Sequence, residues 1–300
     1  MVFLRVALVV LRLLGAAAVT AAVILIPGLT QKSLDDYLRP KRTLATRTPA
    51  DFGMAYRDAP LVTADGLRLA AWFIPGERPE SLVIVHGLGS NRGELLPLST
   101  DLHARGFTLL LLDLRAHGDS EGALSTLGVK EVEDVRGAID YLVQQPEVDR
   151  HRIGIYGGSL GGAVALQAAE QLPELASVVV DSTFASVRWV VDHQLQQLLH
   201  LPDWFGFLLL NVGGLQAGIS PDDAAPVRAA GRLGQRPLLV IHGTADGMFR
   251  VENAELIFAA ASGPRDLWVV ESAGHTGAYD VDPTAYVSRL DAFYSAGLRG

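Results

Sequence analysis

Six short, almost unbroken apolar runs most constrain what this chain can fold into: SLVIVHG (81–87), FTLLLLDLR (107–115), RIGIYGG (152–158), LASVVVDST (175–183), PLLVIHG (237–243) and RDLWVVES (265–272). Runs without polar alternation read as strands buried on both faces, as in a parallel sheet. A further strand is expected over LRLAAWFIPG, Leu67–Gly76. Between the runs the spacing turns helical. Val132, Val135, Ile139 and Leu142 recur three and four apart until Pro146 stops the pattern. Strand and helix alternating in this way predict βαβ crossovers, with helices on both sheet faces.

The ends of the chain read differently. The first 30 residues are apolar from Val2 to Ile26 apart from Arg5, Arg12 and Thr20, long enough to cross a bilayer. The run ends in Ile26-Pro27-Gly28 without a small-x-small cleavage site, which favours an uncleaved single-pass anchor over a signal peptide that would release a secreted protein. Basic residues on both sides leave its orientation open. Residues 31–54, basic and interrupted by Pro40 and Pro49, read as a linker, and 55–300 as the folded domain. Within it, 184–220 lacks a strand and is rich in Trp, Phe and Leu. It reads as two inserted helices that either cover the sheet or cap a site for an apolar substrate. A buried aromatic cluster of Trp204, Phe205 and Phe207 is expected there, rather than bilayer contact.

A net charge of −8 argues against nucleic acid as a partner, and the absence of cysteine excludes disulfides and thiolate chemistry. No clustered His, Asp or Glu spacing suggests a metal, and no organic cofactor is expected.

GIYGGSLGGAV (154–164) sets one serine among five glycines, between a strand and a helix. Gly157-x-Ser159-x-Gly161 in that context is the nucleophile-elbow pattern. Glycines on either side avoid collisions at a tight turn, and the helix start aims free N–H groups at the serine. A serine needs a base to take its proton and an acid to orient that base. Asp246 follows the strand PLLVIHG, and His275 lies in a glycine-flanked loop after RDLWVVES. Both leave the carboxyl ends of neighbouring strands, where open α/β sheets place their sites.

With the order Ser159…Asp246…His275, the chain resembles the α/β-hydrolase superfamily over residues 55–297, and within it the membrane-anchored serine hydrolases of the Bem46 and ABHD13-like type. HGLGSNRGE, LLLDLRAHGDSEG, YGGSLGGAVALQAA, VVVDSTFASV, LLVIHGTAD and SAGHTGAY carry the likeness. The resemblance implies a mostly parallel eight-stranded sheet with a small helical cap. It implies Ser159 as nucleophile, His275 as general base and then acid, and Asp246 as the residue that holds the imidazole. It places the oxyanion hole at the backbone N–H groups of Leu88 and Leu160. Some members take the acid from the position of Asp181, which stays open as an alternative. Where many relatives have a Val/Ile-Pro pair after the acid, this chain has Gly247, Met248, Phe249 and Arg250. His86, His117 and His242 are expected to shape the cleft, and His193 and His200 to be surface or packing residues of the cap. The implied activity is hydrolysis of carboxylic esters, thioesters or amides. The substrate would be a small molecule, lipid-like if the cap receives it. A silent, membrane-tethered interaction module and an acyltransferase are the alternatives.

Overall fold

Strand formation follows the apolar runs, because two-sided burial leaves no solvent face for polar side chains. The structure, a computed structural model, describes residues 34–195 and 203–298. Its strands are β1 (Arg57–Asp58), β2 (Leu61–Val62), β3 (Arg68–Leu69), β4 (Ala71–Ile74), β5 (Ser81–Val85), β6 (Thr108–Leu112), β7 (Ile153–Gly158), β8 (Leu175–Asp181), β9 (Leu238–Gly243) and β10 (Arg265–Val270). Eight of them line up in the order β1-β4-β6-β5-β7-β8-β9-β10, and β2 pairs with β3 apart from that sheet. The pairs at β4 are antiparallel, and every other neighbouring pair in the sheet is parallel.

The main helices are α1 (Leu96–Ala104), α2 (Val132–Leu142), α3 (Leu160–Gln171), α4 (Asp203–Ala217), α5 (Pro226–Ala230), α6 (Glu252–Ala260) and α7 (Pro283–Gly297). Alternate residues of one strand enter opposite cores, as the pleat dictates. Val83 and Val85 face the layer of α2, α3, α5 and α6, while Leu82 and Ile84 face α1 and α7. Each such buried aliphatic side chain contributes roughly 1.5–3 kcal/mol relative to exposure. On the second layer Tyr294 of α7 is fully buried and donates its hydroxyl to the Ile155 carbonyl at 2.8 Å.

Four expectations are refined. The run 67–76 is two strands, broken where the Ala70 N–H turns to Ser120 Oγ at 2.9 Å and the chain changes partner from β2 to β6. β10 closes the sheet as an edge, so its run is mostly half-exposed or exposed despite its apolar sequence. Residues 34–54 form a strap packed against the body. Leu38 and Met54 are buried, and the Arg42 guanidinium donates to the carbonyls of His117, Gly118, Ser120 and Gly122. In 184–220, a short helix at Val187–Trp189 continues as the π-helical Val190–Leu195, and α4 follows after residues outside the described ones. The apolar segment 1–30 also lies outside the described residues. Among those described, no helix is long and apolar enough to cross a membrane.

Candidate active site

β7 runs into α3 with Ser159 as the single hinge residue, at φ 53° and ψ −119°. That left-handed backbone disfavours any side chain, and a non-glycine held there marks a place where the surroundings impose strain. The surroundings are visible. A Cβ on Gly157 would overlap the Gly161 carbonyl, and one on Gly161 would overlap the Val85 carbonyl. The serine itself is tied down by its N–H to the Asp181 carbonyl, and its own carbonyl accepts Thr183 Oγ1 at 2.8 Å. Ser159 as a residue is 9% exposed, at the carboxyl edge of the sheet.

His275 reaches it from the loop after β10. Its Nε2 lies 2.9 Å from Ser159 Oγ, and its Nδ1 lies 2.9 Å from Asp246 Oδ2. The Asp246 carboxylate is 1% exposed, while the imidazole is 21% exposed. Burial pushes the Asp246 carboxyl up, but the hydrogen bonds from His275 and from the Phe249 and Met248 N–H groups outweigh it, and the group lies below its ordinary value. The two N–H groups both donate to Oδ1, at 2.8 and 2.9 Å. Gly247-Met248-Phe249 thus wraps the carboxylate with its backbone. The rings of Phe249 and His275 meet edge to face, with centroids 5.4 Å apart.

Asp181, the alternative acid, is elsewhere. Its Oδ2 accepts the Tyr286 hydroxyl at 2.7 Å and its Oδ1 accepts the Ser182 hydroxyl at 2.9 Å. Tyr286 also meets the Tyr156 hydroxyl at 2.9 Å. Burial raises the Asp181 carboxyl above its ordinary value against these hydrogen bonds. It touches the histidine only at second hand, because Ser182 Oγ accepts the N–H of Thr276, the residue after His275, at 3.0 Å.

Of the two expected oxyanion donors, Leu160 is the first residue of α3, where an N–H has no partner within the helix. Leu88 follows Gly87, on whose open side lies Ser159. A Cβ on Gly87 would stand 3.6 Å from that of the serine. Two side chains fix this loop. The Glu94 carboxylate accepts the Gly87 N–H at 2.9 Å, and His86 Nδ1–H donates to the Gly87 carbonyl at 2.7 Å while Nε2 accepts the Leu114 N–H. His117 packs beside His86, and burial foremost, then that neighbour, pushes it down to about 4. His242 is buried beneath the acid loop, with Nε2–H donating to the Phe249 carbonyl at 2.9 Å. His193 is exposed and stacks on Trp189, and His200 lies outside the described residues.

A cavity of about 220 Å³ opens beside the serine, lined by Gly87, Glu94, Leu98, Tyr156, Gly158 and Thr276 among others. Among the described residues, none that lines it comes from 184–220. The expected aromatic cluster is likewise corrected. Trp204 and Phe205 meet edge to face, but Trp204 and Phe207 are exposed, because the phase of α4 turns them away from the body. Glu94, Ser182 and Thr276 were beyond sequence reasoning. Each lies in a motif that carries the family likeness, Glu94 in HGLGSNRGE, Ser182 in VVVDSTFASV and Thr276 in SAGHTGAY, but none of the motifs says what its side chain would hold.

Comparison with known proteins gives a consistent picture. Residues 43–231 match the family model described as X-Pro dipeptidyl-peptidase (S15 family). The uncharacterized protein Rv2307c of Mycobacterium tuberculosis is 33% identical over 224 residues, 74% of this chain and 73% of its own. Protein bem46 of Schizosaccharomyces pombe is 31% identical over 147 residues, 47% of this chain and 48% of its own. Among solved structures, the Pyrococcus furiosus esterase Pf2001 superimposes with a TM-score of 0.74 at 26% identity, over 87% of this chain and 98% of its own. A Mycobacterium tuberculosis puromycin-hydrolyzing peptidase shares the fold with a TM-score of 0.68 at 22% identity, over 86% of this chain and 42% of its own.

Proposed function

The chain belongs to the X-Pro dipeptidyl-peptidase (S15) family of α/β hydrolases, and on that premise we propose that it hydrolyses carboxylic esters through an acyl-enzyme on Ser159. The reading is carried by one observation, the unbroken pair of 2.9 Å contacts from Ser159 through His275 to Asp246. In the first half-reaction Ser159 Oγ attacks the carbonyl carbon while His275 Nε2 takes its proton. The buried Asp246 carboxylate holds the Nδ1–H tautomer and balances the imidazolium charge that forms. The backbone N–H groups of Leu160 and Leu88 receive the oxyanion. His275 then returns the proton to the leaving alcohol, and water repeats the sequence to release the acid.

Esters are preferred to amides because the likeness to the esterase spans nearly the whole of both chains. The cavity beside the serine is smaller than the roughly 300–1,000 Å³ of drug-sized sites, which favours short acyl groups over long chains. Glu94 and Asp280 line it, and their carboxylates disfavour anionic acyl groups. The apolar segment 1–30 tethers the enzyme to a membrane.

A fluorophosphonate probe tests the assignment. Wild type is expected to label at Ser159 and Ser159→Ala not to, with p-nitrophenyl ester turnover falling as the acyl chain lengthens. Equal failure of both proteins to label would leave the silent-module reading.

A further inference from the structure

α4 (Asp203–Ala217) is built inside out. On its inner face are Gly206, Leu210, Gly213, Gly214 and Ala217, all buried and all but one small. On its outer face Trp204, Phe207 and Leu215 are 54, 64 and 84% exposed. At 100° per residue these three fall within one narrow stripe, interrupted only by Asn211. A water-facing helix carries its large apolar side chains inward. Small residues facing protein and large apolar ones facing out is the arrangement of helices whose other neighbour is lipid.

The chain itself says what lies there. Leu34, the first described residue, packs on the inner side of α4, 2.7 Å from where a Gly213 Cβ would be, in a cluster with Leu38 and Ala217. Only residues 27–33 separate it from the apolar run ending at Ile26. Seven residues span at most about 25 Å, so a membrane holding that run lies within a short reach of α4. We propose that the Trp204–Phe207–Leu215 face of α4 docks on the lipid bilayer that holds the amino-terminal run, resting in its interface with the ring of Trp204 at headgroup level. The inference rests on the tether proposed above. About 22 Å long, α4 is too short to cross a hydrocarbon core of about 30 Å, so it lies on the membrane. The three side chains expose on the order of 400 Å², taking 150–250 Å² for a large side chain, about half of what each partner buries in a stable protein interface. As a cover for α4 the amino-terminal run would leave most of its own apolar surface in water, since only Arg5, Arg12 and Thr20 interrupt it.

The chain has no cysteine, so single labels are clean. Full-length Phe207→Cys and Leu215→Cys, each carrying a nitroxide, are reconstituted into phosphatidylcholine/phosphatidylglycerol vesicles beside Glu255→Cys, an exposed site on α6. Both α4 labels are expected to collide more with oxygen than with a water-soluble nickel complex, and the α6 label to show the reverse. Vesicle flotation reports the tether separately. Protein that floats with its α4 labels as open to nickel as Glu255→Cys overturns the docking and leaves the tether standing. Protein that does not float overturns both. Spin–spin broadening with protection from both reagents overturns the docking in favour of a second copy of the chain.

Discussion

Asp181 closes β8 within the sheet, whereas Asp246 stands three residues past the end of β9, on a loop that lifts it over the rim. Both carboxylates are buried, and burial alone would raise both. They part company in what donates to them. Asp246 receives two backbone N–H groups and an imidazole. Asp181 receives two hydroxyls, and one of those belongs to Tyr286, which can also accept. One site is therefore built for an anion and the other tolerates a neutral acid. The distance travelled beyond the strand decides which carboxylate can meet a histidine coming from the next loop.

The largest effect should separate them by activity. Asp246→Asn is expected to lower kcat by about four decades, as loss of the orienting acid does in serine proteases, with the fold intact. Asp181→Asn is expected to stay within about tenfold, because an amide can keep the Ser182 contact and donate to Tyr286 instead. Ester turnover of both variants checks this, and a reversed order would exchange their roles.

Next in size is stability. Asp181→Ala removes the carboxylate that accepts the buried hydroxyls of Tyr286 and Ser182, a loss of about 2 kcal/mol read from the urea midpoint. Asp181→Asn should recover most of it.

The smallest effect is in pH. Asp246 is depressed in the fold, so its contribution is present above the unfolded value and lost as pH falls through the folded one. Asp181 is raised, so its contribution is present below the unfolded value and lost as pH rises through the folded one. Urea titrations from acid to neutral pH should therefore show Asp181→Asn gaining on wild type as pH rises. Asp246→Asn should lose ground over the same range.

Much of this arrangement is legible locally. A strand buried on both faces announces itself in the residues it contains, and the glycines about Ser159 are written next to it. What is not legible depends on partners far along the chain. The break at Ala70 requires Ser120, and the strap requires Arg42 to find carbonyls more than 70 residues away. The edge position of β10 leaves no mark in RDLWVVES, since Trp268 is partly covered by Arg289 of α7. Asp181 and Asp246 both follow apolar strand runs in the sequence, and only the partners each finds in the fold, tyrosine and serine hydroxyls against backbone N–H groups and an imidazole, tell them apart. For α4 the composition is apolar all round, so the sequence suggests burial, and only its phase against Leu34 shows which side is left bare.

The strap bears on where the polypeptide can be cut. A shortened form starting at residue 55 would open the 117–122 loop, whose carbonyls would lose Arg42, and would strip Leu34 and Leu38 from under the cap helix. The strap and the hydrolase body are one folding unit, and any shortened version has to keep residues 34–54.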